Sequence, residues 1–204
     1  MGRRPTWNEP ELLRTVMAVF RRKGFAHTSV QDLQEATGLH PGSLYKAYGS
    51  KEGLFTAALA AYNEQVAARR VQFHLDETDP PLRGLHTFFA STFSDSDSEE
   101  ANPGCLLTNT AIEAPMLPGI GRDGVAAGLE LIETGFRRML ERAVATGDLA
   151  PTAPTDQLAA ELLALYQGVL VLVRFGTPTV KLADIVANAL PAIVGPTPRG
   201  QGAP

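Results

Sequence analysis

"TGLHPGSLYKAYGSKEGLF" (Thr37–Phe55) decides how this chain reads. Gly38 ends one helix, Pro41-Gly42 opens a second, and Gly49-Ser50 stops that one so a third begins at Lys51. Proline suits a first helical turn, where its missing N–H is not needed. Two short helices joined by a tight turn form a helix-turn-helix, whose second helix enters the DNA major groove. In that reading Gly42 lets backbone approach a phosphate or base edge. Ser43 and Tyr45 offer hydroxyls to phosphate oxygens, and Lys46 reaches a guanine edge or a phosphate. Ser50 caps the next helix. Lys51 stands at that helix's N-terminus, where its own charge and the helix dipole both favour a phosphate. The same spacing also fits an ordinary helical hairpin.

Outward from this stretch the apolar period is helical nearly everywhere. A first helix is predicted over Asn8–Lys23, capped by Asn8, with Leu12, Leu13, Val16, Met17 and Phe20 on one face. A second starts at Thr28-Ser29, where Ser29 and Asp32 form a capping box, and ends at Gly38. The third spans Pro41–Tyr48, with Ala36 and Leu44 turned into a small core beside Phe20 and Leu33. A fourth continues to about Leu75. Beyond "DETDPP" come a helix carrying Leu85, Phe88, Phe89 and Phe93, then an acidic loop, "SDSDSEEANPG", read as locally disordered. After "CLLTNTAIE" follow helices over Asp123–Thr146, Thr155–Phe175 (capped by Thr155) and Val180–Val194. Pro191 is expected to bend or end the last one. The tail "GPTPRGQGAP" reads as loose. The fold class is all-α.

Charge sharpens the division. Net charge is −4, which argues against bulk nucleic-acid binding. Residues 1–55, however, hold eight Lys/Arg, including Arg3 and Arg4, against five Asp/Glu. The remainder is acidic, so a polyanion partner is expected for the head alone. The one cysteine, Cys105, excludes an internal disulfide. No apolar run of membrane-spanning length and no signal peptide are read, which points to the cytoplasm.

Particular residues carry a closer likeness: Gly24-Phe25, Thr28-Ser29-Val30, Asp32-Leu33, Ala36, Gly38-Leu39, Gly42-Ser43-Leu44-Tyr45, Tyr48, Ser50-Lys51-Glu52 and Leu54-Phe55. With them, residues 8–60 resemble the N-terminal DNA-binding domain of the TetR/AcrR family of bacterial transcriptional regulators. The resemblance implies that Pro41, Gly42 and Lys46 lie near base edges of a double-stranded operator. It places Thr28, Ser29, Gln31, Ser43, Tyr45, Tyr48 and Lys51 near its backbone. Three positions depart from the pattern. Tyr48 replaces a usual Phe, and His40 replaces a small polar residue, so His40 either caps the third helix poorly or touches DNA. Gly53 stands where a Glu would complete a capping box with Ser50.

The resemblance further implies a helical ligand-binding and dimerisation domain, over residues 56–196, after a DNA-binding domain at 1–55 and before a tail at 197–204. The residues agree. Leu158, Leu162, Leu165, Val169 and Leu172 line one face of a helix whose other face carries Leu163, Tyr166, Leu170 and Val173. A helix apolar on both sides is buried on both sides. A homodimer is therefore expected through about Thr155–Val194. Phe88, Phe89, Phe93, Cys105, Leu106, Asn109, Met116, Leu131, Phe136 and Tyr166 are candidates to line an effector pocket, although such a stripe is ordinarily plain core.

No nucleophile elbow, phosphate loop or metal-ligand cluster is present in the sequence, and the four histidines are scattered. No enzyme activity, metal or cofactor is expected. The leading reading is a repressor released from DNA by a small molecule. The alternatives are a DNA-binding regulator switched by a partner or by oxidation or electrophile modification of Cys105, and a helical binding protein or enzyme with a vestigial head.

Overall fold

The computed structural model describes residues 7–93, 102–117 and 119–195, and helix follows helix with no strand among them. The order is α1 (Glu9–Lys23), α2 (Val30–Thr37), α3 (Pro41–Tyr48), α4 (Lys51–Tyr62), a π-type segment Asn63–Ala67, one turn of α5 (Ala68–Arg70), a second π-type segment Val71–Asp76, α6 (Pro81–Ala90), α7 (Leu106–Glu113), a 3-10 turn Ala114–Met116, α8 (Arg122–Thr146), α9 (Thr155–Phe175) and α10 (Thr179–Val194). Arg3, Arg4, residues 94–101 of the acidic loop and the tail from 196 on lie outside the described residues.

The chain forms two compact units. One takes the chain up to Ala67 together with Pro103–Gly128; the other takes Ala68–Asn102 and the chain from Leu129. The expected boundary at residue 55 falls inside α4. The first unit holds, besides the head, α7 and the start of α8, which sequence order alone would assign to the body.

In the first unit α1 packs on α2 and α4, α3 bridges α2 and α4, and α7 packs on α1 and α4. Phe20, Leu33, Leu44, Leu54 and Phe55 are fully buried. The Phe20 and Phe55 rings meet edge to face at 4.8 Å. Ala36, expected in this core, is instead exposed. It lines an open cleft of about 340 Å³ with Trp7, Asn8, Glu11, Leu12, Thr15, Thr37 and Leu39. Asn8 precedes α1 but makes no side-chain cap. The Ser29–Asp32 capping box is formed in both directions.

In the second unit Phe88, Phe89, Phe136 and Tyr166 make a ring cluster with centroids 5.0–6.4 Å apart. Helix α10 packs on α9 and α6. The division of α9 differs from the expected one. Ala159, Leu162, Tyr166, Val169, Leu170 and Val173 are buried, while Leu158, Leu165 and Leu172, one heptad apart, are only half-buried. On α10, Leu182, Val186, Leu190 and Val194 turn in, and Ile185, Ala189 and Ile193 are half-buried. The most apolar 18 residues of α9 have a mean hydropathy of 1.7, so this helix is long and apolar enough to cross a membrane by length and composition, against the expectation of no such run. Its apolarity matches six buried side chains plus the second stripe. Thr155 is the first residue of α9 rather than its cap. Pro191 does not end α10, which runs on to Val194. Pro191 and Ala187, whose carbonyl loses its partner to the proline, are both exposed, so solvent can serve that carbonyl.

Candidate nucleic-acid interface

Helix α3 is held by its ends. His40 Nδ1 accepts from the Gly42 N–H at 3.1 Å, so His40 does cap the helix, and its side chain stays exposed there. At the far end Tyr48 donates its hydroxyl to Glu9 Oε1 at 3.0 Å, tying α3 to the start of α1. Partial burial, and then the Glu9 carboxylate, push the Tyr48 pKa up to about 12, so the phenol stays a donor. The one inward side chain of α3 is Leu44.

What remains faces outward. Pro41 and Ser43 are half-buried and Gly42 is exposed at the N-terminus, with Tyr45 half-buried and Lys46 exposed one turn on. Among the described residues the side chains of Ser43, Tyr45 and Lys46 make no hydrogen bond or ion pair, while the Ser43 N–H and the Tyr45 carbonyl are taken up by His40 and Gly49 at the two ends of the helix. Ser50 caps α4 by accepting from the Gly53 N–H at 3.2 Å. The glycine at 53 has a local cause: a Cβ there would overlap the Tyr48 carbonyl oxygen. A Glu at this position, which the resemblance favours, would need that turn to open. Lys51 Nζ lies 4.3 Å above the Phe25 ring, which aims a flexible side chain beside the α4 N-terminus.

At the start of α2 the expected backbone contacts are engaged within the chain. Thr28 is 1% exposed and donates its hydroxyl to the Gly24 carbonyl at 2.6 Å, so its side chain is a turn lock and not a surface contact. Ser29 is exposed, with its hydroxyl oxygen on the Asp32 N–H. Gln31 is exposed and donates to Glu35 at 2.7 Å. Lys23, counted among the head's cations, pairs with Asp32 at 2.6 Å. That pair, then the Ser29 N–H and hydroxyl, pull the Asp32 pKa down to about 2.

The candidate pocket residues do not form one set. Phe88, Phe89, Phe136 and Tyr166 pack on one another in the second unit, where Phe93 is buried and Leu131 half-buried. Cys105, Leu106, Asn109 and Met116 belong to the first unit. Met116 is 67% exposed, on the outside of that unit. Asn109 is buried and spent on structure: its Nδ2 donates to the Arg21 carbonyl at 3.1 Å and to the Pro103 carbonyl at 2.9 Å. Arg21 in turn donates to the Gly104 carbonyl from Nε at 3.0 Å and Nη2 at 2.6 Å. Cys105 sits at the N-cap of α7, 4% exposed, with the Tyr62 hydroxyl on its sulfur at 3.3 Å. The acidic residues expected to bear on it, Asp95, Asp97, Glu99 and Glu100, lie outside the described residues. No cluster of metal-ligating side chains occurs among the described residues. Sequence reasoning missed Glu9 and Glu113, whose partners lie 39 and 88 residues away; no local signal marks either.

A capped two-turn helix with outward hydroxyls and a lysine, beside a second capped N-terminus with its own lysine, defines a helix-turn-helix DNA-binding protein. Known proteins agree. Residues 12–58 match the model of bacterial regulatory proteins of the tetR family, and residues 81–187 match the tetracyclin repressor-like C-terminal domain. The chain belongs to the tetR family and is a DNA-binding transcriptional regulator. It is 27% identical over 189 residues to the transcriptional repressor ComR of Escherichia coli K12, covering 93% of this chain and 90% of ComR. It is 31% identical to a cysteine mutant of the TetR-family regulator CifR solved with 26-bp operator DNA, with a TM-score of 0.83 over 93% of this chain and 99% of that one. Reduced NemR of E. coli shares the fold, with a TM-score of 0.81 at 21% identity over 93% of this chain and 98% of that one.

Proposed function

We propose that this chain is a repressor that grips a roughly palindromic operator as a homodimer and lets go when a small molecule enters its C-terminal region. The observation that carries DNA recognition is α3 itself. Its N-terminus is capped from within the chain, and Ser43, Tyr45 and Lys46 are left unspent on its outer surface. Pro41, Gly42 and Lys46 are assigned to base edges. Ser29, Gln31, Ser43, Tyr45 and Lys51 are assigned to phosphates, with Tyr48 held behind them by Glu9. A lone two-turn helix reads few bases, so two are needed, about one DNA turn (~34–36 Å) apart. The half-buried stripes on α9 and α10 supply the dimer contact. Repression and operator binding are what the names of ComR and the CifR complex say of those proteins. A regulator of this kind works in the cytoplasm and needs no catalytic site. The test is gel retardation with the intergenic DNA beside the gene. A dimer protecting a palindrome supports the reading; a monomer binding a half-site equally tightly refutes it.

A second reading rests on Cys105. It opens α7, the helix that α1 holds through Arg21 and Asn109. At 4% exposure its sulfur has no room for an adduct unless α7 or Tyr62 moves. Electrophile addition to the thiol, or its oxidation by peroxide, would then loosen the head. Cys105→Ser separates the two readings. If only wild type loses operator on treatment, Cys105 is the switch; if both or neither do, a non-covalent effector is.

A further inference from the structure

Helix α7 ends on the head. Its last residue, Glu113, reaches the turn after α1, where Oε2 accepts from the Phe25 N–H at 2.9 Å and the Ala26 N–H at 3.3 Å. The turn admits a carboxylate because Gly24 lacks a side chain: a Cβ there would overlap Glu113 Oε1. From the other side, the Gly24 N–H is fixed to the Phe20 carbonyl at 2.8 Å. The Phe25 backbone is therefore pinned between α1 and α7.

The Phe25 ring follows its backbone, because only two torsions separate them and the ring is locked in the core. It is 6% exposed, 4.9 Å from the Phe55 ring and 6.2 Å from that of Phe20. Its open side carries the Lys51 ammonium at 4.3 Å. Lysine is a point charge on a four-carbon stem, so a ring beneath it narrows where that charge sits. Arg21 and Asn109 also dock α7 on α1, but through Gly104, Pro103 and the Arg21 carbonyl, away from the Phe25 turn.

We propose that Glu113 is a positioning residue for DNA binding: it fixes the Phe25 turn, the Phe25 ring aims Lys51, and α7 thereby governs the phosphate contact at the head of α4. This rests on the reading of Lys51 as a phosphate contact, and it adds the route by which the segment that starts at Cys105 reaches that contact. If Glu113 served only to satisfy two backbone donors, its loss would lower stability and leave the electrostatics of DNA binding unchanged.

The experiment measures operator affinity of the full chain from about 50 to 200 mM salt, since the log–log slope counts phosphates neutralised. Lys51→Ala should make the slope shallower by about one unit. Glu113→Ala should remove much of that same unit, and Glu113→Ala with Lys51→Ala should be no shallower than Lys51→Ala alone. Glu113→Gln, whose amide oxygen still accepts from Phe25, should restore the wild-type slope. Phe25→Leu, which keeps the turn apolar but removes the ring, should reproduce the loss independently should Glu113→Ala fail to fold. A wild-type slope in Glu113→Ala or Phe25→Leu overturns the proposal, as does full additivity with Lys51→Ala. A wild-type slope in Lys51→Ala itself overturns the phosphate assignment first, and this inference with it.

Discussion

Replacing Gly24 by alanine tests the α1–α7 junction through stability alone. Gly24 has φ 76° and ψ 170°, a region essentially reserved for glycine, so any side chain there costs about 1–3 kcal/mol. The added Cβ would also overlap Glu113 Oε1 and sit 2.7 Å from Glu113 Cδ. A carboxylate at the end of a flexible side chain can swing away, so the penalty is not the overlap. It is the loss of the bonds from Phe25 and Ala26, the second of them long at 3.3 Å. Charged hydrogen bonds contribute about 1.5–3 kcal/mol when well made; here roughly 2 kcal/mol for the pair is reasonable. Gly24→Ala should therefore destabilise by about 3–5 kcal/mol. Gly38→Ala is the control: it sits at φ 68° and ψ 7°, with nothing within 4 Å of a new Cβ, and should lose only about 1–2 kcal/mol. Trp7, the single tryptophan, belongs to the same unit, so urea unfolding followed by its fluorescence reports on the right part of the chain. In a Glu113→Ala background, Gly24→Ala should cost only its backbone share, a coupling of roughly 2 kcal/mol. Equal losses at Gly24 and Gly38, or an unchanged Gly24 penalty without Glu113, would refute the reasoning.

Ser29→Ala removes the cap of α2 and should lower the stability of the first unit by about 0.5–2 kcal/mol, read from the same urea curves. Asp32 sets an acid limit. Its folded pKa lies below the unfolded value, so its stabilisation is present above about pH 4 and fades as pH falls towards about 2. Asp32→Asn should flatten that part of a melting-temperature profile between pH 5 and 2, and an unchanged profile would disprove the assignment. Leu165→Glu or Ile185→Glu places a charge on the half-buried stripes of α9 and α10 and should give a folded monomer by light scattering, with operator affinity lost. A dimer that persists would move the interface elsewhere.

The sequence by itself determined what short-range chemistry controls. The span of α3, the Ser29–Asp32 box, the Ser50 cap and the end of α1 at Gly24 all follow from residues within four positions of one another, as does the helical period of the whole chain. Tertiary structure decided what depends on distant partners. Thr28 reads as a surface hydroxyl until the Gly24 carbonyl is seen to take it. Ala36 reads as core until a cleft opens beside it. Asn109 reads as a polar pocket residue until Arg21, 88 residues earlier, takes its amide. Helix α7 follows the body in sequence but packs with the head. Helical periodicity says which face of α7 is apolar, not which neighbour covers it, because that depends on how separate helices fill one core. The same holds for α9: its two apolar faces are legible in the sequence, but which face turns inward is settled by the fit of α10 and α6 against it.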